Sequence, residues 1–436
     1  MIIDFTFENF RSFKDQTVFS MFTEHPKNHL TDNIGFPLKN SIGVAKTAVI
    51  YGPNASGKSN IFLALKALKY LVCESHSFRE NKKIGCYEPF LFSDKKEDPV
   101  NMEIEFAIPG DHRYVYSISY GAKEILSESL DFYPGRAKAN IFERRVGDTW
   151  SDIQFGSHYK GGNKRIPFFA NNSYLSKAGN SPASPKIIRR VHKYFQELMI
   201  LGTDFQLPVG EFFSHDGVLK LTSDILQRVD VGISDVTREE QDLSAFAVFP
   251  PDMPSRVKEE LISLNKYKFF AHHIDENGES VPFELDEESD GTQKLFRMLP
   301  VITTSLFMGA VLMIDELENS FHPHVAELII KLFNDPLINT KNAQLVFSTH
   351  NVELMSPRLF RRDQIWFTQK NSGSSVLYSL DEFDKTTVTP KSPYGDWYAD
   401  GRFGAIPHIR YEEVRNFLVH SFDLDHGEVD SSGEEE

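Results

Sequence analysis

The stretch from Gly52 to Ser59 has the residue types and spacing of a phosphate-binding loop, G-x-x-x-x-G-K-S. It follows an apolar run that predicts a buried strand and precedes apolar residues at helical spacing, which is the context that a P-loop needs. Glycines let the backbone turn tightly so that its N–H groups face phosphate oxygens, and the helix N-terminus adds partial positive charge. The residues predicted to bind nucleotide here are Asn54, Ala55, Ser56, Gly57, Lys58, Ser59 and Asn60.

Lys58 and Ser59 have distinct expected roles in this loop. Lys58 would reach the β- and γ-phosphates, and the hydroxyl of Ser59 would bind Mg²⁺. A chance glycine-rich turn is the alternative reading, but the motif is complete and both of its flanks are appropriate. The loop therefore predicts that the chain binds ATP together with Mg²⁺.

Two acids follow a second apolar run, Val311–Ile314, which also predicts a buried strand. A carboxylate beside a P-loop can hold Mg²⁺ through its water shell, and a second can take a proton from the attacking water. We therefore interpret Asp315 as the metal-binding acid and Glu316 as the general base of ATP hydrolysis.

A third strand is predicted over residues 344–348, and His350 follows it closely. A histidine at a strand end is either structural or catalytic. Since this strand is expected beside the one that ends at Asp315, His350 would lie within reach of the γ-phosphate. His322 and His324 lack a third ligand at suitable spacing, so no metal site is predicted there.

A fourth polar segment, residues 288–295, opens a predicted helix and contains Ser289, Gly291, Thr292 and Gln293. N–H groups at a helix start can bind an anion. Without further context, Ser289 or Asp290 can equally be a simple helix cap. Both readings stay open at this point.

The elements that must position these residues form two patterns. Strands and helices alternate after residue 290, as in a mainly parallel sheet, so the P-loop strand and this segment are predicted to share one sheet. The first 22 residues and residues 101–155 alternate as in antiparallel strands, and residues 157–185 have the composition of a long loop. Helices in the intervening block are predicted over 187–201, 219–230 and 256–271.

The predicted fold class is accordingly α/β, with a P-loop core, an antiparallel β lobe and an inserted helical lobe. No heptad pattern is long enough for an extended coiled coil. The predicted units are a core over 1–75 and 286–410, a β lobe over 76–170, a helical insertion over 171–285, and an acidic disordered tail over 423–436.

Composition narrows the class of protein. A net charge of −15 argues against an extensive nucleic-acid-binding surface. A local DNA contact remains an alternative, through Lys160, Lys164 and Arg165. The sequence has no apolar run of 18 residues and no basic region at its start, so neither a membrane span nor a secretory signal is predicted. With only Cys73 and Cys86, a reduced cytoplasmic protein is expected.

The order of five motifs resembles the ABC-type ATPases of the RecF, SMC, Rad50 and OLD group. It looks most similar to compact AAA-labelled ATPases of bacterial anti-phage defence islands, such as PARIS-like, RloB-associated and retron- or Septu-type systems. The residues 400–407, D-G-R-F-G-A-I-P, are also similar to that compact family. The motifs are Asn9–Phe13, the P-loop, Ser289–Gln293, Ile314–Glu316 and Ser348–His350.

This resemblance implies roles that the residues alone do not establish. His350 would be the switch histidine, and Arg11 would approach the nucleotide. Ser289, Gly291, Thr292 and Gln293 would form a signature that closes over ATP bound to the opposite subunit. The segment departs from the usual Leu-Ser-Gly-Gly-Gln pattern, and no secure Q-loop glutamine follows the P-loop.

The resemblance further implies a homodimer or higher homo-oligomer that closes around ATP and controls a separate nuclease or toxin effector, with a phage protein as trigger. The alternative is a DNA-repair ATPase of the RecF or Rad50 kind, which binds DNA directly. A small-molecule kinase or GTPase is disfavoured, because Asn265-Lys266 is not followed by the aspartate of a guanine motif. The chain after His350 is short for a Toprim nuclease domain, so nuclease activity is expected in another chain.

Overall fold

A computed structural model describes residues 1–38, 42–92, 94–202, 212–229, 232–241, 266–318, 322–407 and 409–427, together with positions 250, 253, 258 and 262. The strands are β1 (Ile2–Glu8), β2 (Thr17–Ser20), β3 (Phe22–Thr23), β4 (Ile34–Gly35), β5 (Gly43–Ala45), β6 (Thr47–Tyr51), β7 (Val100–Ala107), β8 (Arg113–Tyr120), β9 (Ile125–Tyr133), β10 (Ala139–Arg144), β11 (Gln154–Phe155), β12 (Met199–Leu201), β13 (Ile233–Glu240), β14 (Tyr267–Ile274), β15 (Ser280–Glu284), β16 (Val311–Ile314), β17 (Gln344–Ser348), β18 (Ile365–Asn371) and β19 (Ser374–Ser379).

The helices, numbered in chain order among the described residues, are α1 (Lys58–Glu74), α2 (Tyr174–Gly179), α3 (Lys186–Gln196), α4 (Asp216–Val229), α5 (Asp290–Met308), α6 (Pro323–Asn334), α7 (Tyr394–Ala399) and α8 (Tyr411–Gly427). A search of the same residues finds no helix with the length and apolarity to span a bilayer.

The central sheet has six strands in the order β12-β16-β17-β6-β18-β19. All neighbouring pairs are parallel except β18 with β19, which are antiparallel. The predicted α/β class and the mainly parallel sheet shared by the P-loop strand and the segment after residue 290 are therefore confirmed.

Both faces of this sheet are covered, which explains why its strands read as continuous apolar runs. On β6, Ala48 and Ile50 belong to one hydrophobic cluster, while Val49 and Tyr51 belong to a second one. The first cluster includes α1 and the antiparallel sheet, and the second includes α5 and α6. Side chains alternate across a strand, so each strand contributes to both layers.

Three strands of this sheet end at one edge. Ile314 pairs with Phe347, and Ser348 pairs with Ile50, so the carboxyl ends of β16, β17 and β6 are aligned. The P-loop leaves β6, the two acids leave β16, and His350 leaves β17. Parallel pairing thereby brings together residues that are nearly 300 positions apart in sequence.

A second sheet is antiparallel and has seven strands in the order β11-β10-β9-β8-β7-β1-β2. The meander predicted for residues 101–155 is confirmed. The N-terminal strands β1 and β2 belong to this sheet, and not to the parallel sheet that contains β6. Alternating patterns show that a segment is a strand but leave its pairing partner unspecified.

Two predictions in the middle of the chain are wrong in part. The helix predicted over 187–201 ends at Gln196, and residues 199–201 form β12 at the edge of the parallel sheet. The loop predicted over 157–185 contains helix α2, whose cap Ser173 accepts the backbone N–H of Ser176. A three-residue edge strand is too short to show a period of its own.

The block predicted as a helical insertion, residues 171–285, also contains the antiparallel sheet β13-β14-β15. Residues 267–271, predicted as the end of a helix, lie in β14, where pairing with two neighbouring strands overrides the local pattern. Most of 256–266 lies outside the described residues. In the predicted tail, residues 423–427 belong to α8, and 428–436 lie outside the described residues.

Candidate nucleotide-binding site

Two glycines fix the shape of the P-loop. Gly57 has φ +117, and a Cβ there would lie 2.6 Å from Ser375 Oγ. Gly52 has φ +155, and a Cβ there would lie 2.4 Å from Thr368 Oγ1. Backbone conformation and neighbouring atoms therefore both require glycine at these positions.

The other loop residues differ in how they are held. Ser56 is buried, and its hydroxyl lies 2.6 Å from that of Thr368 on β18. Ala55 has φ +61, and both Asn54 and Ala55 are exposed. The loop is thus fastened through Ser56 and leaves Asn54, Ala55 and Ser59 accessible to a ligand.

Lys58 is 6% exposed and lies across the loop that it belongs to. Its ammonium group donates to the carbonyl oxygens of Gly52 at 2.9 Å and Pro53 at 3.3 Å. Burial lowers the pKa of Lys58, while the negative charges of Asp315, Glu316 and Glu318 act in the opposite direction. The lysine is therefore a partly desolvated cation facing three carboxylates.

The N-terminal loop braces the start of α1. Arg11 Nη1 donates to Asn60 Oδ1 at 3.2 Å, and Asn60 Nδ2 donates to Ser12 Oγ at 2.7 Å. Ser12 Oγ also accepts from Ser375 Oγ at 2.8 Å, and Arg11 forms an ion pair with Glu88 at 2.8 Å. Arg11 is consequently placed beside the P-loop helix. The side-chain amide of Asn60 is used to hold Arg11 and Ser12 in place.

Asp315 and Glu316 are held at the end of β16 by one serine of β17. Ser348 Oγ donates to Asp315 Oδ1 at 2.5 Å and accepts the backbone N–H of Glu316 at 2.8 Å. Asp315 is buried, and Glu316 has φ +57, a left-handed conformation that turns the chain sharply after the strand. The serine thus holds the carboxylate of Asp315 and the backbone of Glu316.

His350 lies at the same edge and is linked to a third acid. Its backbone N–H donates to Glu318 Oε1. Burial lowers the pKa of His350, and the positive charge of Lys58 lowers it further. The negative charges of Glu318, Glu316 and Asp315 oppose this shift. His350 is still exposed to solvent in part, and the lowered pKa favours its neutral form.

These electrostatic effects show which predicted residues the fold brings together. Lys58, Asp315, Glu316 and His350 all lie within reach of one another's charges. Ser59 and Asp315 supply the hydroxyl and carboxylate oxygens that Mg²⁺ prefers, and Ser59 is exposed at the first turn of α1. The donor set therefore fits a Mg²⁺ ion bound with nucleotide phosphates.

The predicted signature segment forms the start of α5. Ser289 is the N-cap, and its hydroxyl accepts the backbone N–H of Thr292 at 3.2 Å. Gln293 Nε2 donates to the carbonyl oxygen of Glu288 at 2.9 Å. Ser289 and Asp290 are exposed, Gly291 is half-buried, and Thr292 is buried. The capping interpretation is confirmed for Ser289, and its contacts are local.

One charged residue near the site, Glu318, belongs to none of the sequence motifs. Glu318 acts electrostatically on Lys58, His350 and also Lys294 of α5. One of its carboxylate oxygens, Oε2, is buried without a hydrogen-bond partner among the described residues. Glu318 stands only two positions after Glu316, and that spacing was the available signal.

Together, a mainly parallel sheet, a complete P-loop after β6 and two acids after β16, with β17 between these strands, define a P-loop ATPase core. A family profile described as "AAA domain, putative AbiEii toxin, Type IV TA system" matches residues 48–356. The chain belongs to this family of AAA domains. No curated protein sequence matches it.

Solved structures with a similar arrangement include SMC heads. The SMC head domain from Thermotoga maritima has a TM-score of 0.40 and 12% identity, covering 87% of this chain and 98% of that one. The SmcHead bound to the C-winged helix domain of ScpA has a TM-score of 0.37 and 13% identity, with coverage of 87% and 97%.

Proposed function

We propose that this chain binds and hydrolyses ATP with Mg²⁺. The observation that carries the proposal is the placement of Lys58, Asp315, Glu316 and His350 within one electrostatic neighbourhood at the edge of the parallel sheet. Lys58 would neutralise phosphate charge, and Ser59 and Asp315 would hold the metal. Glu316 would take a proton from the attacking water, and His350 would contact the γ-phosphate.

Arg11 is placed to act on the same nucleotide. Its guanidinium is held between Glu88 and Asn60, next to the first turn of α1. When ATP is bound, its phosphate oxygens would replace water molecules around the guanidinium group of Arg11. We infer that Arg11 contributes to nucleotide binding and not to proton transfer, because guanidinium stays protonated in proteins.

We further propose that two chains close around ATP, with Ser289, Gly291, Thr292 and Gln293 of one chain facing the nucleotide of the other. Support comes from the exposed N-terminus of α5, which offers N–H groups and a favourable dipole to a phosphate. A closed dimer would then exist mainly while ATP is bound. The protein would therefore have two states, an open one and a closed, ATP-bound dimer.

These two shapes suit a switch, and we propose that they control a separate nuclease or toxin effector in an anti-phage defence system of the cytoplasm, with a phage protein as trigger. The family description, which refers to a toxin of a type IV toxin–antitoxin system, supports this direction. The alternative, a RecF-like ATPase that binds DNA directly, is less well supported by a chain with net charge −15.

Phage challenge tests the defence role. Cells that express this chain with its neighbouring genes should resist phages that plaque on control cells, and Lys58→Ala in this chain should abolish resistance. Purified chain with Mg²⁺ and ATP should leave DNA and RNA intact. Resistance that survives Lys58→Ala would contradict the switch proposal, and cleavage that tracks with mutations in this chain would contradict a separate effector.

A further inference from the structure

The side chain of Tyr51 joins the P-loop to the loop that carries His350. Tyr51 is the last residue of β6 and stands immediately before Gly52, where the P-loop begins. Its side chain is fully buried, and its hydroxyl donates to the backbone carbonyl oxygen of Asn351 at 3.2 Å. Asn351 follows His350 directly in the chain. This hydrogen bond therefore connects two parts of the candidate site that lie 300 positions apart in sequence.

The hydrogen bond continues the pairing of two strands beyond the end of their backbone ladder. Between β17 and β6 the register ends at Ser348 and Ile50, and the N–H of Thr349 donates to the carbonyl oxygen of Ile50 at 3.2 Å. Burial raises the pKa of Tyr51 well above its ordinary value, so the hydroxyl keeps its proton and stays a donor. Since an unpaired buried donor is costly, this hydroxyl favours the observed position of the Asn351 peptide.

An aromatic cluster fixes the direction of the Tyr51 ring. The centre of this ring lies 5.7 Å from that of Tyr398 in α7 and 6.4 Å from that of Phe367 in β18. Tyr398 and Phe367 stack on each other, with 5.5 Å between their ring centres. All three side chains are buried. Because interior side chains are closely packed, the ring of Tyr51 has little room to turn its hydroxyl away from Asn351.

Residues 400–407, the segment D-G-R-F-G-A-I-P, support this aromatic cluster. The carbonyl oxygen of Ala405 accepts a hydrogen bond from the hydroxyl of Tyr398 at 2.8 Å. Ala405 is buried and has φ +52, a left-handed conformation that a residue other than glycine adopts only when its surroundings hold it there. Phe403 is buried in the same hydrophobic cluster as Tyr51 and Tyr398. The segment is therefore part of the packing behind Tyr51.

Helix α7 also contacts the chain just after His350. A Cβ at Gly395 would lie 2.9 Å from the carbonyl oxygen of Val352, so glycine is what lets the helix approach this closely. The loop after His350 is therefore held at Asn351 by Tyr51 and at Val352 by α7.

We propose that Tyr51 is a positioning residue for ATP hydrolysis and that residues 394–407 keep its ring in place. Its hydroxyl would hold the Asn351 peptide, and with it His350, at a fixed distance from the P-loop. Phosphate bound by the P-loop would then meet an imidazole that is already oriented. This role rests on the proposed function, in which His350 contacts the γ-phosphate, and deepens it.

Tyr51→Phe tests the hydrogen bond, because it removes the hydroxyl and keeps the ring. We expect kcat to fall about tenfold, while KM and the Kd for ATP change by less than about twofold, since the P-loop is intact. Tyr159→Phe is the matched control: Tyr159 is also buried, and its hydroxyl donates to the backbone carbonyl oxygen of Asn163 at 3.2 Å. This control should lower the melting temperature to a similar extent and leave kcat unchanged.

A double substitution shows whether Tyr51 acts through His350. His350→Gln should lower kcat by itself, and the addition of Tyr51→Phe should cause no further loss, because no imidazole then remains to be positioned. If the two effects multiply, the residues act independently and the proposal is wrong.

Hydrogen exchange of the nucleotide-free chain tests the same hydrogen bond without any activity. Backbone amides of residues 349–355 should exchange about tenfold faster in Tyr51→Phe, because the loop opens more readily when the bond is lost. The same amides should exchange at the wild-type rate in Tyr159→Phe.

Two further results would overturn the proposal: wild-type kcat in Tyr51→Phe, or unchanged exchange over residues 349–355 in that variant. A wild-type chain without ATPase activity, or full turnover in His350→Gln, would contradict the proposed function and with it the catalytic part of this role. Exchange would then still decide whether Tyr51 holds the loop after His350.

Discussion

The P-loop half of the site and the signature half are built in different ways. Around the P-loop, contacts join distant parts of the chain: Ser56 meets Thr368, and Ser12 meets Ser375. Around the start of α5, Ser289 contacts Thr292 and Gln293 contacts Glu288, all within one turn or two. The first half is fixed by contacts across the fold. In the second half, the exposed Ser289 contacts its own helix, and the preceding Glu288 pairs with His273 of β14 at 2.6 Å.

This difference indicates a division of labour. Under the proposed function, the fixed half would bind ATP and Mg²⁺ within a single chain, because its donors are already oriented. Under the proposed function, the exposed start of α5 would complete a nucleotide site only when a phosphate bound to another chain reaches it. Substitutions in the two halves should consequently impair different steps of the ATPase cycle.

The largest effects are expected in the P-loop half. Glu316→Gln should lower kcat by roughly 100- to 10,000-fold while ATP binding persists, because the amide keeps its place but cannot accept the proton. Lys58→Ala should instead weaken ATP binding itself. Phosphate release and equilibrium titration with ATP would distinguish the two variants. Unchanged turnover in Glu316→Gln would remove Glu316 from the role of base.

A mixing experiment tests whether the signature half works in trans. Ser289→Arg should abolish turnover but leave ATP binding intact, because the cation blocks closure and not the P-loop of its own chain. Mixed with Lys58→Ala, it should regain part of the activity, since one site then joins an intact P-loop to an intact signature. If mixed dimers form but are inactive, either Ser289 acts on the nucleotide of its own chain or hydrolysis requires two intact sites.

Glu318 links the two halves of the site, because its negative charge raises the pKa of His350 after β17 and that of Lys294 in α5. We infer that it is a positioning residue that holds the chain after β17. Glu318→Ala should lower kcat about ten- to a hundredfold with little change in KM, as expected for misplacement near the reacting atoms. Glu318→Gln retains an oxygen for the His350 N–H and should recover much of the loss; equal damage by both variants would point to charge instead.

The smallest effect concerns pH. The folded-state pKa of His350 lies below the ordinary value of 6.5 because of burial and Lys58. As pH falls through 6.5, the unfolded chain takes up this proton first, so the free energy of unfolding should decrease. His350→Gln should remove this part of the pH dependence of the free energy of unfolding. Denaturant unfolding of both proteins at pH 8 and pH 5.5 would measure it, and parallel losses would exclude His350 as its source.

The sequence by itself determined the local chemistry. The P-loop, Asp315, Glu316 and His350 could be placed at strand or helix ends because glycine spacing and apolar runs are local signals. The parallel sheet followed from strand–helix alternation, and the structure confirms it. Ser289 could be read as a cap for the same reason, since capping depends on neighbouring residues alone.

Only the tertiary structure decided which residues hold that chemistry in place. The contact of Ser12 with Ser375 joins the loop after β1 to β19, which the sequence does not place together. The sequence does predict that β16 and β17 are neighbours, but the hydrogen bond from Ser348 to Asp315 is known only from the structure. The edge strand β12 and the sheet β13-β14-β15 depend on neighbours far along the chain, which override short local patterns. Glu318 is an ordinary surface-type residue in sequence, and burial beside Lys58 and His350 gives it significance.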